Sequence, residues 1–359
     1  MHTQVTKDAF RGQKIFVGLD VHKKDFKVSV MAGGVLYKTF TSPPDGQKVL
    51  NFLRDNFPGA EYYSAYEAGF SGFWLHKQLV ELGVNSMVVN PADIPTTDKE
   101  RRQKEDQRDS RKLAKDLQAG QLHAIYVPSE KTLQDRILMR GRQTIAKEIR
   151  RSKQRIKSLL YFQGIKYPDK FAQESSHWSN NFIRWLESLI FENESGKQGL
   201  QIHIETLKHH RALQLQSTRQ IRALARSDYY REQAESLISI PGIGMLTALY
   251  FLTEVVTITR FENFNHLCSF VGVVPSTDSS GDNDVTTGIT PRKNSYLRSL
   301  LIESSWVAIR NDPALMSSYL QHCKRMPSTK AIVRIAKKLL NRIVHVLRQN
   351  EKYKKNIVK

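Results

Sequence analysis

The chain contains little cysteine and no long apolar run, and each shortage excludes a class of protein. Its two cysteines, Cys268 and Cys323, are far apart and lack metal-ligand spacing, which argues against a disulfide framework and a cysteine-based zinc site. We expect both to be inert thiols in a reducing cytoplasm. No apolar stretch is long enough to span a bilayer, and Met1 to Asp8 lack the apolar segment of a signal peptide. We therefore expect a cytoplasmic protein with no membrane partner.

Acidic residues are also scarce relative to basic ones. The 359 residues include 55 Lys and Arg against 35 Asp and Glu, which gives a net charge of +20 and an isoelectric point of about 9.8. A chain this basic usually binds a polyanion, most often nucleic acid, and an acidic membrane surface is the competing partner. The length predicts two or three domains, with ample chain for real cores.

Short apolar runs near the N-terminus predict a β-sheet. Lys14 to Asp20 has the pattern of a buried strand that ends in a carboxylate. Phe26 to Met31 and Val35 to Thr41 follow as strands, with a Gly33-Gly34 hairpin turn between them. Three antiparallel strands with an acid on the first resemble the beginning of an RNase H-like nuclease domain. Taken alone, Asp20 is better explained as a residue that caps a strand end.

Helices and strands then alternate. The predicted elements are a helix from 45 to 57, a strand from Glu61 to Glu67, a helix from Phe70 to Leu82 and a strand from Val84 to Asn90. The order βββαβαβ, followed by a helix, predicts a mixed sheet with flanking helices. Glu67, like Asp20, falls at the end of a strand.

Two further acids, Asp106 and Asp109, lie three residues apart in a charged stretch. On a helix they share one face, where like charges repel unless the face is solvated or a cation neutralises them. A solvated face is the alternative explanation, and Asp116, two turns beyond Asp109, is a further candidate. With Asp20 and Glu67 they form a candidate four-carboxylate site, whose hard oxygen ligands favour Mg²⁺ or Mn²⁺. Two such ions about 3.5–4 Å apart stabilise the attacking and leaving oxygens of a phosphodiester displacement.

Four short motifs give these acids a specific context. They are Phe16-Val-Gly-Leu-Asp20-Val-His-Lys-Lys, Tyr66-Glu67-Ala-Gly, Asn90-Pro91 and Lys104-Glu-Asp106-Gln-Arg-Asp109-Ser. In these motifs the chain resembles the DEDD transposase family of bacterial insertion sequences, insertion-sequence family one-ten, which includes the Piv-type DNA invertases. The resemblance implies a RuvC-like N-terminal domain in which the four acids are catalytic metal ligands. Ser110 departs mildly from the family, where alanine is more usual.

Helical periodicity then replaces the sheet pattern. Apolar residues from Leu138 to Leu160, and again from Leu200 to Leu224, predict two long antiparallel helices. The first carries almost only positive charge, including Arg150 and Arg151. We expect it both to pack and to contact nucleic-acid backbone, and a coiled coil with a solvated charged face is the alternative. The aromatic residues between the two helices are assigned to a core, with base stacking as the alternative, and the region is a candidate for oligomerisation.

The segment Ser239-Ile-Pro-Gly242-Ile-Gly244 predicts a helix–hairpin–helix turn. The backbone N–H groups of such a turn face a phosphate at the N-terminus of the next helix and bind DNA without reading its sequence. An apolar helix, Leu246 to Val255, follows the turn. A basic amphipathic helix is predicted from Lys330 to Leu347.

The stretch from Thr277 to Asp284 is predicted from its composition to be a polar loop, in which any one serine is a solvent-facing hydroxyl. No His–Asp arrangement that would activate a serine is visible. The family pattern has a proline, then a Ser-Gly pair, then a basic stretch. The resemblance therefore implies that Ser280 is the nucleophile, with Ser279 as the fallback.

The same resemblance implies phosphate contacts from the basic stretch. Arg298 and Arg292 match basic positions suited to such contacts. The family's usual Ile-Ser-Lys-x-Gly stands here as Ile289-Thr-Pro-Arg-Lys293, so one lysine and one glycine of that pattern are missing.

Three domains are predicted. They are a RuvC-like mixed-sheet domain at 1–126, a helical coiled-coil region at 127–235 and a mostly helical transposase domain with the serine at 236–359. The resemblance implies a recombinase that mobilises an insertion sequence through a covalent serine–phosphate link, assisted by Mg²⁺ or Mn²⁺. It further implies double-stranded donor and target DNA as substrates, a structured bridge RNA as guide, and a homo-oligomer, dimer or tetramer, that acts on the nucleoid.

Three alternative functions stay open. A Piv-type DNA invertase would share the whole site. A metal-only nuclease of the Holliday-junction resolvase type would use water in place of the serine. A non-enzymatic DNA- or RNA-binding protein would not use the four acids at all.

Overall fold

A computed structural model covers residues 10–94, 106–280, 283–289 and 293–354, with the backbone alone at 106–107, 275–280 and 283–289. The chain divides between Val127 and Pro128 into two units. The predicted coiled-coil region and the predicted transposase domain both fall in the second unit. Their separation at residue 235 stays a prediction.

The first unit is a five-stranded mixed sheet flanked by helices. Its strands are β1 (Lys14–Val21), β2 (Phe26–Ala32), β3 (Val35–Ser42), β4 (Glu61–Glu67) and β5 (Asn85–Val89). Its described helices are α1 (Gly46–Asn56), α2 (Trp74–Glu81) and α3 (Asp106–Gln118). The strand order is β3-β2-β1-β4-β5, with β1, β2 and β3 antiparallel and with β4 parallel to both β1 and β5. The predicted order βββαβαβ, followed by a helix, is confirmed.

The two faces of this sheet are covered by different helices because side chains alternate along each strand. Val17 and Leu19 of β1 pack with Leu50 of α1 and Leu79 of α2 in one buried cluster. The opposite face, which includes Gly18, lies under α3. The sheet is thus the middle of three layers. Functional side chains are therefore expected where its strands end.

The second unit is mainly helical. Its described helices are α4 (Glu130–Phe162), α5 (Asn180–Ser188), α6 (Glu194–Ala225), α7 (Arg231–Ile238), α8 (Met245–Val255), α9 (Phe264–Val271), α10 (Ser295–Asn311), α11 (Pro313–Cys323) and α12 (Ser328–Gln349). An antiparallel hairpin of β6 (Pro275–Ser280) and β7 (Asn283–Ile289) stands between α9 and α10. Within the part of the chain that the structure describes, no helix combines the length and the apolar character needed to cross a membrane.

Helices α4 and α6 form the predicted antiparallel pair. Arg142 Nε of α4 donates to Thr218 Oγ1 of α6 at 2.8 Å. Ten residues further along α4, Ser152 Oγ lies 3.3 Å from His210 Nδ1, which comes earlier in α6. The connecting segment contributes Phe182 of α5 to a buried cluster with both helices. The antiparallel arrangement and the aromatic core are thereby confirmed.

The other end of this coiled coil is built into the core of the second unit. Met139 of α4 and Ile221 of α6 are buried together with the apolar helix α8 and the inner face of α12. Cys268 belongs to the same cluster, and burial raises the pKa of its thiol to about 11. Since the thiolate is the reactive form, this cysteine is not a nucleophile near neutral pH.

One prediction for this unit is wrong. The stretch from Thr277 to Asp284, predicted to be a polar loop, lies largely in the β6–β7 hairpin, where Ser280 pairs with Asn283. The strands are rich in polar residues, of which serine and aspartate are more typical of loops than of strands, so the polarity of the segment favoured a loop.

Candidate active site

Helix α3 lies directly on the sheet because β1 has a glycine beneath it. A Cβ atom on Gly18 would be 2.0 Å from the Ser110 carbonyl oxygen and 2.5 Å from the Ala114 nitrogen. Beside this contact, Ser110 Oγ lies 2.9 Å from Ser29 Oγ of β2, and both serines are fully buried. Glycine at position 18 lets the helix backbone approach this closely. The height of α3 over the sheet is therefore set by this row of residues.

The direction of α3 follows from its apolar contacts. Leu113 and Leu117 pack in a cluster with Phe16, near the start of β1. Ser110, about one turn earlier in the helix, lies over Gly18, two residues further along the strand. The helix thus runs back toward the beginning of β1. Its first turn lies toward the edge of the sheet where β1 and β4 end.

Asp20 and Glu67 lie at the ends of neighbouring parallel strands, on the face that α3 covers. Gly18 pairs with Ala65 in the parallel register, and both of these residues face α3. Since side chains alternate, the residues two positions further along, Asp20 and Glu67, face the same side. The Asp20 side chain is 22% exposed, and Glu67 is more exposed. The register thus brings together two of the predicted acids.

Helix α3 supplies the positions of the other two acids. Asp109 is partly exposed in its first turn, whereas the side chain of Asp106, the first helical residue, lies outside the described residues. Asp116, the further candidate, is buried about 10 Å along the helix axis from Asp109, toward the opposite end.

The chemistry of this set suits a hard divalent cation. Carboxylate oxygens at a half-exposed edge are the ligands that Mg²⁺ and Mn²⁺ prefer. Among the side chains that the structure describes, no three Asp, Glu, His or Cys groups lie close enough together to hold a metal ion. The fourth acid, Asp106, is not among those side chains, so the metal site stays a prediction.

Sequence reasoning missed a histidine beside Asp20. His22 Nε2 lies 3.1 Å from Asp20 Oδ2, and the His22 backbone N–H donates to Asp25 O in the turn between β1 and β2. Lys27, which pairs with Asp20 across the strands, donates to Asp25 Oδ2 and Thr41 Oγ1. The sequence does contain a signal for this contact: His22 comes two residues after Asp20, just where β1 ends and the chain turns into β2. This contact orients the Asp20 carboxylate.

Ser280, the predicted nucleophile, is the last residue of β6 in the second unit. It pairs with Asn283, and Ser279 pairs with Asp284. The four acids belong to the first unit. The predicted catalytic residues are therefore divided between the two units of the chain. Arg292 lies outside the described residues.

Hydrogen bonds hold the base of this hairpin. The Asn294 N–H donates to Phe270 O at 2.8 Å, and Arg298 Nε donates to Gly272 O at 2.9 Å. Gly272 has a φ of +83°, and a Cβ atom there would be 2.6 Å from Lys293 Cβ. Arg298 therefore supports the backbone where the chain leaves α9. The phosphate contact predicted for it stays a prediction.

A buried carboxylate joins this base to the coiled coil. Glu254 of α8 has a side chain 6% exposed and accepts hydrogen bonds from Arg140 Nε at 2.9 Å and Arg140 Nη2 at 3.0 Å. Asn294 Nδ2 donates to the same carboxylate at 3.3 Å. Arg136 donates to the carbonyl oxygens of Thr253 and Glu254. Hydrogen bonding to Glu254 raises the pKa of Arg140 above its ordinary value, so its guanidinium stays charged at neutral pH.

The predicted helix–hairpin–helix turn connects α7 to α8. Gly242 has a φ of +87°, and a Cβ atom on it would be 2.2 Å from Ser304 O of α10. This glycine is therefore required for packing. Gly244 is exposed and directly precedes α8, whose first backbone N–H groups are of the kind that bind phosphate. Phosphate binding at this turn stays a prediction.

Arg150 and Arg151 are both exposed on α4. Arg151 forms an ion pair with Glu148, one turn earlier. Arg150 adds a second cation on the outer side of the coiled coil. Contact of these arginines with nucleic acid stays a prediction.

Comparison with known protein families gives matches that include both the four acids and the predicted serine. A DEDD transposase family model of the IS110 type matches residues 17–163, and a model described as the Transposase IS116/IS110/IS902 family matches residues 234–321. The first match includes the strands and the helix that carry the four acids. The second includes the helix–hairpin–helix turn and the β6–β7 hairpin. The chain belongs to the DEDD transposase family of insertion sequences.

Relatives of this transposase align over most of its length. The chain is 29% identical over 300 residues to the provisionally named transposase y4qE of Sinorhizobium fredii, which covers 82% of this chain and 72% of the relative. It is 26% identical over 306 residues to the transposase for insertion sequence element IS1533 of Leptospira borgpetersenii, with 82% and 85% covered. The transposase for insertion sequence element IS1111A of Coxiella burnetii is 37% identical over 92 residues, which are 26% of this chain and 24% of the relative. The family predicted from the sequence motifs is confirmed.

Proposed function

We propose that this DEDD transposase cuts and rejoins DNA through Ser280, assisted by a divalent cation at the four acids of the first unit. The register of β1 and β4 carries the proposal, because Asp20 and Glu67 share the face beneath the N-terminal turn of α3. Carboxylates gathered at one solvent-accessible edge repel a polyanionic substrate unless cations neutralise them. The arrangement is therefore suited to metal-assisted chemistry on DNA.

In this mechanism Ser280 Oγ attacks the scissile phosphorus, and the bond from phosphorus to the leaving DNA oxygen breaks. Overall, the serine proton passes to the released DNA hydroxyl, and the phosphate stays joined to the serine until another DNA hydroxyl reverses the step. When bound, Mg²⁺ or Mn²⁺ supplies polarisation of the phosphate and stabilisation of the leaving oxygen. His22 orients the Asp20 carboxylate, and the hydrogen bond from Arg298 to Gly272 steadies the strand that bears the serine.

The proposed substrates are double-stranded donor and target DNA, selected by a structured bridge RNA from the element. The exposed Arg150 and Arg151 and the net charge of +20 support binding to a nucleic-acid backbone. The family resemblance supports guidance by RNA, in which base pairing selects the sequence and the protein holds the backbone.

The proposed active form is a homo-oligomer, a dimer or a tetramer. Tyr161 and Phe162, at the tip of the coiled coil, are 89% and 85% exposed. Ile190, in the segment that connects α5 to α6 at the same tip, is 92% exposed. Large apolar side chains exposed together support an interface between copies of the chain.

The decisive experiment traps the covalent intermediate. The full-length protein is incubated with Mg²⁺, element-end DNA and the adjacent RNA, then denatured and examined for DNA joined to protein. We expect an adduct with the native chain and with Ser279→Ala, none with Ser280→Ala, and little with Asp20→Asn. An adduct that persists in Ser280→Ala but disappears in Ser279→Ala would assign the nucleophile to Ser279. Efficient cleavage without any adduct would identify a metal-only resolvase.

A Piv-type invertase would share this whole site and is separated by its DNA context. Sequencing the DNA around the gene identifies element ends and an adjacent structured RNA for a mobile element. A flanking invertible segment without such an RNA would identify an invertase.

A further inference from the structure

Helix α12 carries a positively charged surface that has no role in the proposed catalytic mechanism. Between Asp312 and Glu351 the chain contains no acidic residue. The exposed Arg334, Lys338 and Arg348, with the half-buried Lys337 and Arg342 beside them, are here called the basic stripe. They recur at helical spacing on one side of α12.

The orientation of this stripe is fixed by the opposite face of the helix. Ile335, Leu339 and Ile343 are buried in the core of the second unit, each at most 1% exposed. Rolling the helix would expose these side chains, so the stripe is held outward. Arg334, Lys338 and Arg348 at its first, middle and last turns are exposed.

A groove between α9, α11 and α12 concentrates the charge. It has a volume of about 620 Å³, and its lining includes Phe264, His322, Arg334, Lys337, Lys338 and Arg342. None of the described residues that line it is acidic. A concave basic surface focuses its field on an anion more strongly than scattered cations do.

Most of this charge is not neutralised by carboxylates in the part of the chain that the structure describes. Arg342 is paired with Asp312, whereas the Lys338 ammonium donates to the neutral Ser318 Oγ at 2.6 Å. Among the described residues, no carboxylate forms an ion pair with Arg334 or Lys337. The neighbouring His322 has a lowered pKa, through its own burial and then the positive charges of Lys338, Arg334 and Arg325, which agrees with an excess of positive charge in the groove.

We propose that the basic stripe and its groove bind the phosphate backbone of double-stranded DNA, independently of base sequence. The proposal rests on DNA being the substrate of the proposed function. From Arg334 to Arg348 the stripe rises about 21 Å, which faces about six phosphates of one strand. Unpaired strands are usually held by several stacked aromatic side chains, whereas α12 contains no Phe, Tyr or Trp, and Phe264 is the one such residue in the described lining of the groove. A duplex is therefore the occupant that the surface favours.

The stripe is tied to the predicted phosphate-binding turn. Just beyond α12, the Tyr353 N–H donates to Ser239 Oγ at 2.7 Å, and Asn350 Nδ2 donates to Glu232 Oε1 at 2.6 Å. Ser239 opens the helix–hairpin–helix segment, and Glu232 lies in the helix before it. These two hydrogen bonds join the end of the stripe to the segment that contains the turn. We expect one duplex backbone to contact both.

The experiment measures binding to a duplex of about 30 base pairs that lacks element ends, in EDTA so that no cleavage occurs. The full-length chain is compared with the double variant Arg334→Gln/Lys338→Gln at several salt concentrations. We expect affinity at 0.1 M salt to fall about tenfold or more, and the slope of log K against log salt to fall by about two. The charge-preserving variant Arg334→Lys/Lys338→Arg should keep the native slope. Lys48→Gln/Arg54→Gln, which removes two exposed cations from α1, is the matched control and should change neither quantity.

Two results would overturn the proposal. One is an equal loss of affinity in the α1 control, which would show that net charge alone matters. The other is unchanged DNA binding in Arg334→Gln/Lys338→Gln while binding to an RNA hairpin falls, which would assign the surface to RNA. Because binding is measured without cleavage, loss of the serine adduct leaves this result unaffected. In a chain that still forms the adduct, either of these two results would contradict this inference alone.

Discussion

Gly18 of β1 and Ser110 of α3 touch through their backbones. The Ser110 carbonyl oxygen lies 2.0 Å from the position that a Cβ atom would take on Gly18, so no larger residue fits without moving the helix. Asp20 follows two residues later on the same strand, and Asp109 directly precedes Ser110. A contact that carries no chemistry therefore sets how close two proposed metal ligands approach.

Gly18→Ala should separate α3 from the sheet. We expect the free energy of unfolding to fall by about 1–3 kcal/mol through overpacking, and DNA cleavage to fall by about 100-fold because the acids are misplaced by about 1 Å. Urea denaturation and a cleavage assay measure the two effects. Gly141→Ala is the control, since nothing lies within 4 Å of its added Cβ on α4, and it should gain up to about 1 kcal/mol with native cleavage. Native stability and cleavage in Gly18→Ala would contradict the role of this contact.

His22→Ala should weaken metal binding without unfolding the chain. His22 Nε2 contacts Asp20 Oδ2 at 3.1 Å, and the loss of such an orienting partner costs about 10–100-fold in metal affinity. We expect the Mg²⁺ concentration for half-maximal cleavage to rise by at least about tenfold, with an unchanged melting temperature. His123→Ala, an exposed histidine of the same unit, should behave as the native chain. An unshifted Mg²⁺ titration in His22→Ala would remove His22 from the site.

Glu254→Gln should destabilise the second unit. The Glu254 side chain is 6% exposed and holds Arg140 through two hydrogen bonds, so its neutralisation leaves a cation without its partner. We expect a loss of about 2–4 kcal/mol in the free energy of unfolding, measured by chemical denaturation. Glu148→Gln, which breaks the exposed pair with Arg151, should cost less than about 1 kcal/mol. Similar losses in the two variants would argue against a special contribution from Glu254.

Protonation of Asp312 should lower the free energy of unfolding at acidic pH. Burial acts to raise the pKa of Asp312, but hydrogen bonds from Leu315 N–H, Arg342 and Tyr353 outweigh it and hold the pKa below the ordinary 3.8. The stabilisation is complete above the unfolded pKa and is lost as pH falls through the lower folded pKa. Asp312→Asn should therefore unfold more easily at pH 7 and lose less stability between pH 5 and pH 3, in denaturation at each pH.

The matched control for this acid is Asp228→Asn, because the Asp228 side chain is 95% exposed. It should keep both the native stability at pH 7 and the native decline in acid. Asparagine is as good a helix cap as aspartate, so the Asp312 variant isolates the charge. An acid response in Asp312→Asn equal to that of the native chain would refute the assignment.

Tyr161→Ser/Phe162→Ser should break the proposed oligomer. Both side chains are largely exposed at the tip of the coiled coil, so their replacement leaves the folded chain intact but removes an apolar interface. Light scattering at micromolar concentration should show a smaller species at an unchanged melting temperature. Ile137→Ser, 72% exposed on the same helix toward its other end, should keep the native mass. A native mass in the tip variant would place the interface elsewhere.

The first unit was predictable from sequence because its signals are local. Alternating strands, the Gly33-Gly34 turn and the helix pattern from 45 to 57 each depend on a few adjacent residues, and all appear in the structure. The β6–β7 hairpin was missed because its strands are mostly polar, although their partners are only 3 to 14 residues apart. Backbone pairing between neighbouring segments decided there against side-chain composition.

The acids of the candidate site were predictable from sequence, whereas the contacts that position the surrounding backbone were not. Asp20 and Glu67 are marked by strand ends, whereas the contact of Gly18 with Ser110 joins residues that are 92 positions apart. The same holds for Arg298, whose charge predicted a phosphate contact while its Nε atom donates to Gly272 O. Sequence patterns identify residue types suited to a reaction, but backbone distances across elements arise only in the folded chain.

The antiparallel pair α4 and α6 also sets the distance between the C-terminal core and the tip of the coiled coil. About 30 Å of helix separates Met139, buried in the C-terminal core, from Leu160, buried in the aromatic cluster at the tip. Inserting or deleting one heptad in both helices would change this spacing by about 10 Å and keep the same side chains facing each other. The distance from the C-terminal core to the tip of the coiled coil can therefore be lengthened or shortened in evolution without altering either end.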